Sequence, residues 1–324
     1  MQESSPAVIV TELNDPTLVG KSIEVLKQDV LKLSPETFLA QRISIRLDQC
    51  QFVYHSTNLA VRARTSLKEG LIGYTVFCSG STGTVNGLPI RSEQILTSVP
   101  GIEVELVVAA GYESIALLIP PELLFDHAIR WHYEETFRLP QKIELLTSAE
   151  LGHRDLLTWG RRLVEIAYQQ PDVFDIPQVQ FAAQTELIEK LLSALKDSRH
   201  AEPTPRDLTH QTHGKIVADA QEYANKHIGE RIHVADICEA VGVSERTLQY
   251  AFKGLLGMSP MAYLHLLRLH RVRQALQTET QGTTTVTKEA LRWGFWHFGD
   301  FSKAYKECFG ELPSDTLRSQ LNVN

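Results

Sequence analysis

Across 324 residues the chain has four cysteines and three methionines. Cys50, Cys78, Cys238 and Cys308 lie far apart and make no CxxC pair, so neither a zinc ribbon nor a dithiol redox motif is expected. Isolated thiols fit a reducing cytoplasm. No apolar run approaches the roughly 18–20 residues that span a bilayer. The opening Met1-Gln2-Glu3-Ser4-Ser5-Pro6 lacks a basic stretch followed by an apolar one, so no secretory leader is expected. The glycine-rich run from Gly80 to Gly87 has no closing Gly-Lys-Ser/Thr and reads as a turn, not a phosphate cradle. His210 and His213 are spaced like ligands but have no third partner, so no metal is expected. No nucleophile, base and acid share a recognisable local signature, which argues against an enzyme.

One further shortage concerns positive charge. Lysine and arginine total 32 against 39 acidic residues, a formal charge of −7, which excludes a generally basic nucleic-acid coat. The imbalance is uneven. Residues 214–324 hold 13 basic and 12 acidic residues, whereas residues 1–213 hold 19 and 27. Any contact with DNA must come from a local face of the second part.

What is present falls into two kinds of pattern. Between Ala40 and Pro120 apolar residues recur every second position, as in Ile43, Ile45 and Leu47, or Ile102, Val104 and Leu106. Asn86-Gly87, Pro100-Gly101 and Ala110-Gly111 punctuate them, and half-buried strands follow from that period. Further on, Leu156, Trp159, Leu163 and Ala167, then Leu187, Ile188, Leu191, Leu192 and Leu195, lie at helical spacing. Their apolar stripes can pack on the sheet, on each other or on a second chain, and the last choice predicts a homodimer through residues 155–195. Polar residues 199–213, with Pro203 and Pro205, read as a linker. The fold expected is α+β: a β-rich domain with helices over 1–198, and an all-α domain over 214–324.

Within the second domain, residues 233–257 have the parts of a helix-turn-helix. Val234, Ile237 and Val241 line one helix, Gly242 supplies a left-handed ending, Val243 plugs the corner and Ser244 can cap the next helix. Leu248, Ala251, Phe252 and Leu255 are expected inward. Ser244, Glu245, Arg246, Gln249, Tyr250 and Lys253 remain for a DNA face. Arginine pairs with guanine and glutamine with adenine in two-point fashion, while lysine suits phosphate.

Ser259 and Pro260 open a connecting helix of about 17 residues, about 25 Å long, with Tyr263, Leu266, Leu267, Leu269, Val272 and Leu276 inward and Arg268, Arg271 and Arg273 off the stripe. A second unit spans Thr285 to Gly310. Val286, Ala290 and Trp293 precede the Gly294-Phe295 corner, and Phe301, Ala304, Tyr305 and Cys308 face inward. His297, Phe298, Gly299, Asp300, Ser302, Lys303 and Lys306 are its candidates for DNA. Two such units on one helix of that length predict a reader of two half-sites about one DNA turn, ~34 Å, apart.

These residues resemble the AraC/XylS family of bacterial regulators. The likeness runs from about Gly214 to Arg318 and rests on Val243-Ser244-Glu245-Arg246-Thr247-Leu248-Gln249, Gly257-Met258-Ser259-Pro260, Trp293-Gly294-Phe295-Trp296-His297-Phe298-Gly299-Asp300-Phe301 and Phe309-Gly310. Within the family it is greatest to regulators of ethanolamine utilisation. The resemblance implies recognition helices at 245–256 and 298–308, a cupin-like effector and dimerisation domain, RNA polymerase as a further partner of an activator, and ethanolamine or a cobalamin as effector. Two positions depart from the family pattern. Cys238 replaces a usual alanine, and Glu289 replaces an aliphatic residue, which implies a shifted or weaker helix there. The function expected is a sequence-specific DNA-binding transcription regulator answering to a small molecule. The alternative is a cupin-like enzyme or binding protein with a helical tail for protein contacts.

Overall fold

The computed structural model describes residues 6–20, 24–133, 137–196, 198–200, 204–278 and 284–319. They form two compact units, one built from 1–30, 38–85 and 89–204, the other from 31–37, 86–88 and 205–324.

The first unit begins with strand β1 (Val8–Leu13), a short helix α1 (Pro16–Val19) and β2 (Leu26–Lys32). The alternating region then yields β3 (Ala40–Leu47), β4 (Cys50–Thr57), β5 (Val61–Leu67), β6 (Ile72–Phe77), β7 (Gly83–Val85), β8 (Leu88–Pro89), β9 (Gln94–Ser98), β10 (Glu103–Val108) and β11 (Tyr112–Ile119). Helix α2 (Pro121–Arg130) follows, then β12 (Leu145–Thr147), α3 (Glu150–Gln169), α4 (Pro177–Leu195) and β13 (Arg199–His200). One sheet has the order β1-β3-β4-β11-β6-β9-β12-β13, the other β2-β5-β10-β7-β8. This is the β-rich, α+β arrangement that the period of two anticipates. Asn86 and Gly87, at φ 48° and 80°, make the tight turn between β7 and β8.

Alternation gives the large sheet two apolar faces with different tasks. Ile43, Ile45, Phe52, Ile115 and Leu117 pack under the helices with Leu156, Trp159, Leu187, Ile188 and Leu191. Phe52 meets the Trp159 ring edge-on at 6.2 Å. The helical stripes of 155–195 are therefore used within the chain: Leu163, Ala167, Leu192 and Leu195 are buried in the same core. The opposite face, with Val53, Ala116 and Leu118, closes with the small sheet around a cavity of about 100 Å³. On the small sheet Arg62 and Arg64 hold Glu105 at 3.0 and 3.1 Å, and Arg62 is fully buried.

The linker expected at 199–213, where the first unit ends and the second begins, is largely structured. Residues 201–203 lie outside the described residues, but Arg199–His200 form β13 and Pro205 opens helix α5 (Pro205–Lys226). Proline suits the first turn of a helix, where its missing N–H costs nothing, so a polar Pro-rich stretch starts a helix here. Helices α6 (Val234–Val241), α7 (Glu245–Leu256), α8 (Pro260–Thr278), α9 (Val286–Arg292), α10 (Phe298–Phe309) and α11 (Pro313–Ser319) complete the second unit. Among the described residues no helix is long and apolar enough to cross a membrane.

Candidate nucleic-acid interface

The first turn of interest is built as its residues require. Gly242 has φ 73°, a left-handed conformation that costs glycine little, and its N–H and that of Val243 both return to the Cys238 carbonyl. The Ser244 hydroxyl accepts from the Thr247 N–H at 3.2 Å, capping α7. Leu248, Ala251, Phe252 and Leu256 are buried, and Phe252 packs edge-on against Tyr263 of α8 at 5.7 Å. Leu256 takes the inward place expected of Leu255, which is half-buried, because the α7 end turns onto α8.

The opposite face of α7 is open. Ser244, Glu245, Arg246, Tyr250 and Lys253 are exposed and Gln249 is half-buried. Arg246, Gln249, Tyr250 and Lys253 stand at i, i+3, i+4 and i+7, one stripe of a helix. The Arg246 guanidinium lies over the Tyr250 ring at 5.4 Å, and Lys253 donates to the Gly257 carbonyl at 3.0 Å. Both cations are thus held at the surface with their charge towards solvent.

The second unit repeats this with a constant offset. Helices α7 and α10 each have 12 residues, so Arg246, Gln249, Tyr250 and Lys253 correspond to Gly299, Ser302, Lys303 and Lys306. His297, Phe298, Gly299, Asp300, Lys303 and Lys306 are exposed, and Ser302 is half-buried. Phe301, Tyr305 and Cys308 form the inner face. The corner differs by one residue. Gly294, at φ 86°, is followed by Phe295 and Trp296 before the helix, where the first unit has Val243 alone. Phe295 is buried against Phe301 at 4.8 Å, and the extra residue, Trp296, is 74% exposed. Trp296 is not among the residues the sequence offers for a DNA face, yet it is exposed beside them. The signal was its place as the added residue between a plugged corner and a polar helix.

Buried polar groups fix the second unit. Glu289, 0% exposed, accepts from the Thr284 hydroxyl at 2.5 Å and from the Trp293 indole at 3.2 Å, with Arg292 at 3.5 Å. The departure from an aliphatic residue is matched by three partners around the buried carboxylate. Arg273, expected off the buried stripe, is instead buried. It pairs with Glu311 at 2.9 Å and lies over the Phe309 ring at 4.6 Å. The Tyr305 hydroxyl meets Thr316 at 2.9 Å, and burial raises its pKa to about 12. Arg268 joins the two helix-turn-helix halves: from α8 it donates to the Ile228 carbonyl at 3.0 Å and to that of Glu230, and Gly294 leaves it room. Burial lowers the pKa of Arg268.

Among the described residues no group of three or more His, Cys, Asp or Glu is placed to hold a metal.

Comparison with known proteins bears on the same segment. Residues 237–319 match a family described as a helix-turn-helix domain. The chain is 39% identical over 104 residues to the probable thc operon regulatory protein of Rhodococcus erythropolis, covering 32% of this chain and 31% of that protein. It is 34% identical over 96 residues to the XylDLEGF operon transcriptional activator 2 of Pseudomonas putida, covering 30% and 61%. A solved AraC-type transcriptional regulator from Chromobacterium violaceum is 31% identical, with 35% of this chain and 97% of that one covered and a TM-score of 0.32. The chain thus spans about a third of the first of these relatives and about three fifths of the second.

Proposed function

We propose that the chain is a cytoplasmic, AraC-type, sequence-specific DNA-binding transcription regulator that responds to a small molecule. The observation that carries the reading is the repetition. Two 12-residue helices, each ended by a left-handed glycine, show a polar stripe at the same positions, and both helix-turn-helix halves rest on α8, to which Arg268 ties them. At 19 residues α8 is about 28 Å long, in keeping with two half-sites about 10 base pairs apart.

The stripes divide the work. Arg246 and Gln249 have the donor and acceptor geometry that reads guanine and adenine edges. Their counterparts Gly299 and Ser302 are small, so the second helix lies close to the backbone while Lys303 and Lys306 meet phosphates. Trp296 and Phe298 offer apolar contact to thymine methyls. Glu245 and Asp300 sit in the first helical turns, where carboxylates are favoured and a base-edge amine can be accepted. Ser244 and His297 open the helices nearest the phosphates.

The relatives named activators favour activation; RNA polymerase as the protein partner and a homodimer through the first unit belong to the same reading. An effector such as ethanolamine or a cobalamin finds little support in the first unit's cavity: among the described residues no aspartate or glutamate lines it to meet an ammonium, and about 100 Å³ is too small for a corrin.

Footprinting of the full chain on a library of duplexes tests the reading. Protection of two segments about one turn apart, surviving competitor DNA at physiological salt, is expected. Protection without sequence preference, or none, overturns it.

A further inference from the structure

Helices α7 and α10 carry different chemistry at matched positions. In a recognition helix the first residues meet the base edges. In α7 that end holds Arg246, and Gln249 follows one turn later. Both side chains have the two-point geometry that reads guanine or adenine. At the same places α10 has Gly299 and Ser302. No arginine, asparagine or glutamine lies between Trp296 and Phe309. Lys303 pairs with Glu307 at 3.9 Å. His297 and Asp300 are left with single-point contacts, which discriminate less than a two-point pair.

What the start of α10 presents instead is apolar. Trp296 is 74% and Phe298 42% exposed. The corner does not need either ring, because Phe295 fills it. Gly299 follows on an open surface: a Cβ there would meet nothing within 4 Å. Glycine weakens a helix, and among the described residues no packing demands it here. A bare backbone at that place suits the close approach of an outside body. Helix α7 has an exposed ring too, Tyr250, but the Arg246 guanidinium lies over it at 5.4 Å. Exposed rings beside a polar stripe mark a contact surface, and the apolar feature of the base edges in the major groove is the C5 methyl of thymine.

Resting on the reading of the chain as a regulator with two half-sites, we propose that the half-sites are read by different chemistry. Hydrogen bonds specify the one under α7. C5 methyl groups specify the one under α10, through Trp296 and Phe298. Cytosine methylated at C5 carries the same group at the same place in the groove, so it can stand for thymine in the second half-site and not in the first. Binding is thereby open to control by cytosine methylation at one end of the site.

Binding of the full chain to a duplex selected by footprinting is the test, with Arg246→Ala used to assign one protected segment to α7 and the other to α10. Uracil in place of thymine removes only the methyl. In the α10 segment it is expected to weaken binding about fourfold per contacted methyl, and in the α7 segment by less than about twofold. Where uracil weakens binding, cytosine should weaken it too, and 5-methylcytosine should bind several-fold more tightly than cytosine. Trp296→Ala with Phe298→Ala should bind thymine and uracil duplexes alike, with an unchanged circular dichroism spectrum. Trp296→Ala alone, whose ring is mostly in solvent, should shrink the difference, and Arg246→Ala should leave it whole. Equal binding of thymine and uracil duplexes, equal losses in the two segments, or a loss that persists in the double variant overturns the methyl reading. Absence of sequence-preferring protection on the unmodified duplex removes the regulator and this inference with it; protection that is indifferent to the methyl removes this inference alone.

Discussion

Arg246 and Lys253 share one stripe and differ in what they can do. A guanidinium presents a two-point donor pair to guanine, whereas an ammonium is a point charge. Arg246→Ala is therefore expected to cost about 1–3 kcal/mol at one base position and to relax specificity there, measured by binding to duplexes permuted at each position. Equal loss on all sequences would make Arg246 a phosphate contact. In the first unit His55 makes a different prediction. Its folded pKa lies near 3, below its unfolded value near 6.5. The unfolded chain takes up a proton as pH falls through 6.5 while the folded chain does not, so stability contributed by neutral His55 is whole above pH 6.5 and declines towards pH 3. A fully shielded group would give about 1.4 kcal/mol per pH unit across that window, and His55, only half-buried, gives a fraction of it. His55→Gln should flatten the fall in unfolding midpoint between pH 6.5 and 5; an unchanged slope would mean that the imidazole protonates in place.

Helices and their caps behave as units. On α9, Glu289 receives hydrogen bonds from Thr284 and Trp293 inside the core. Removing a buried acceptor leaves its donors unsatisfied, so Glu289→Ala should destabilise the second unit by about 2–3 kcal/mol, read by denaturant unfolding. A change under half that would mean that water replaces the carboxylate. On α8, Arg268 ties the Ile228 and Glu230 carbonyls to the corner at Gly294. Arg268→Ala is expected to weaken binding to a duplex with both half-sites several-fold more than binding to either half-site alone. Equal weakening would assign Arg268 to folding rather than spacing. Element starts and stops were legible because Gly242, Ser244, Ser259 and Pro260 each enforce a backbone geometry locally. The start of α5 was not, since Pro205 serves a linker and a helical first turn equally well.

At the scale of the molecule, the apolar stripes of α3 and α4 are spent on the chain's own sheet, which leaves Leu151, Tyr168 and Phe181 standing out from these helices, Phe181 59% exposed. If the proposed homodimer uses that outer surface, Phe181→Asp should convert a dimer to a monomer in sedimentation while leaving the fold intact; a dimer that persists places the contact elsewhere. The sequence alone determined the two architectures and both exposed stripes, because period two, period 3.6 and the turn residues act over a few neighbours. Only the tertiary structure decided the burial of Arg273 and Arg42, the partners of Glu289 and the exposure of Trp296. Each depends on groups distant in the chain, such as Arg273 with Glu311 or Arg42 with Val19 and Gln28, and residue type does not encode which partner arrives when strands and helices close on one another.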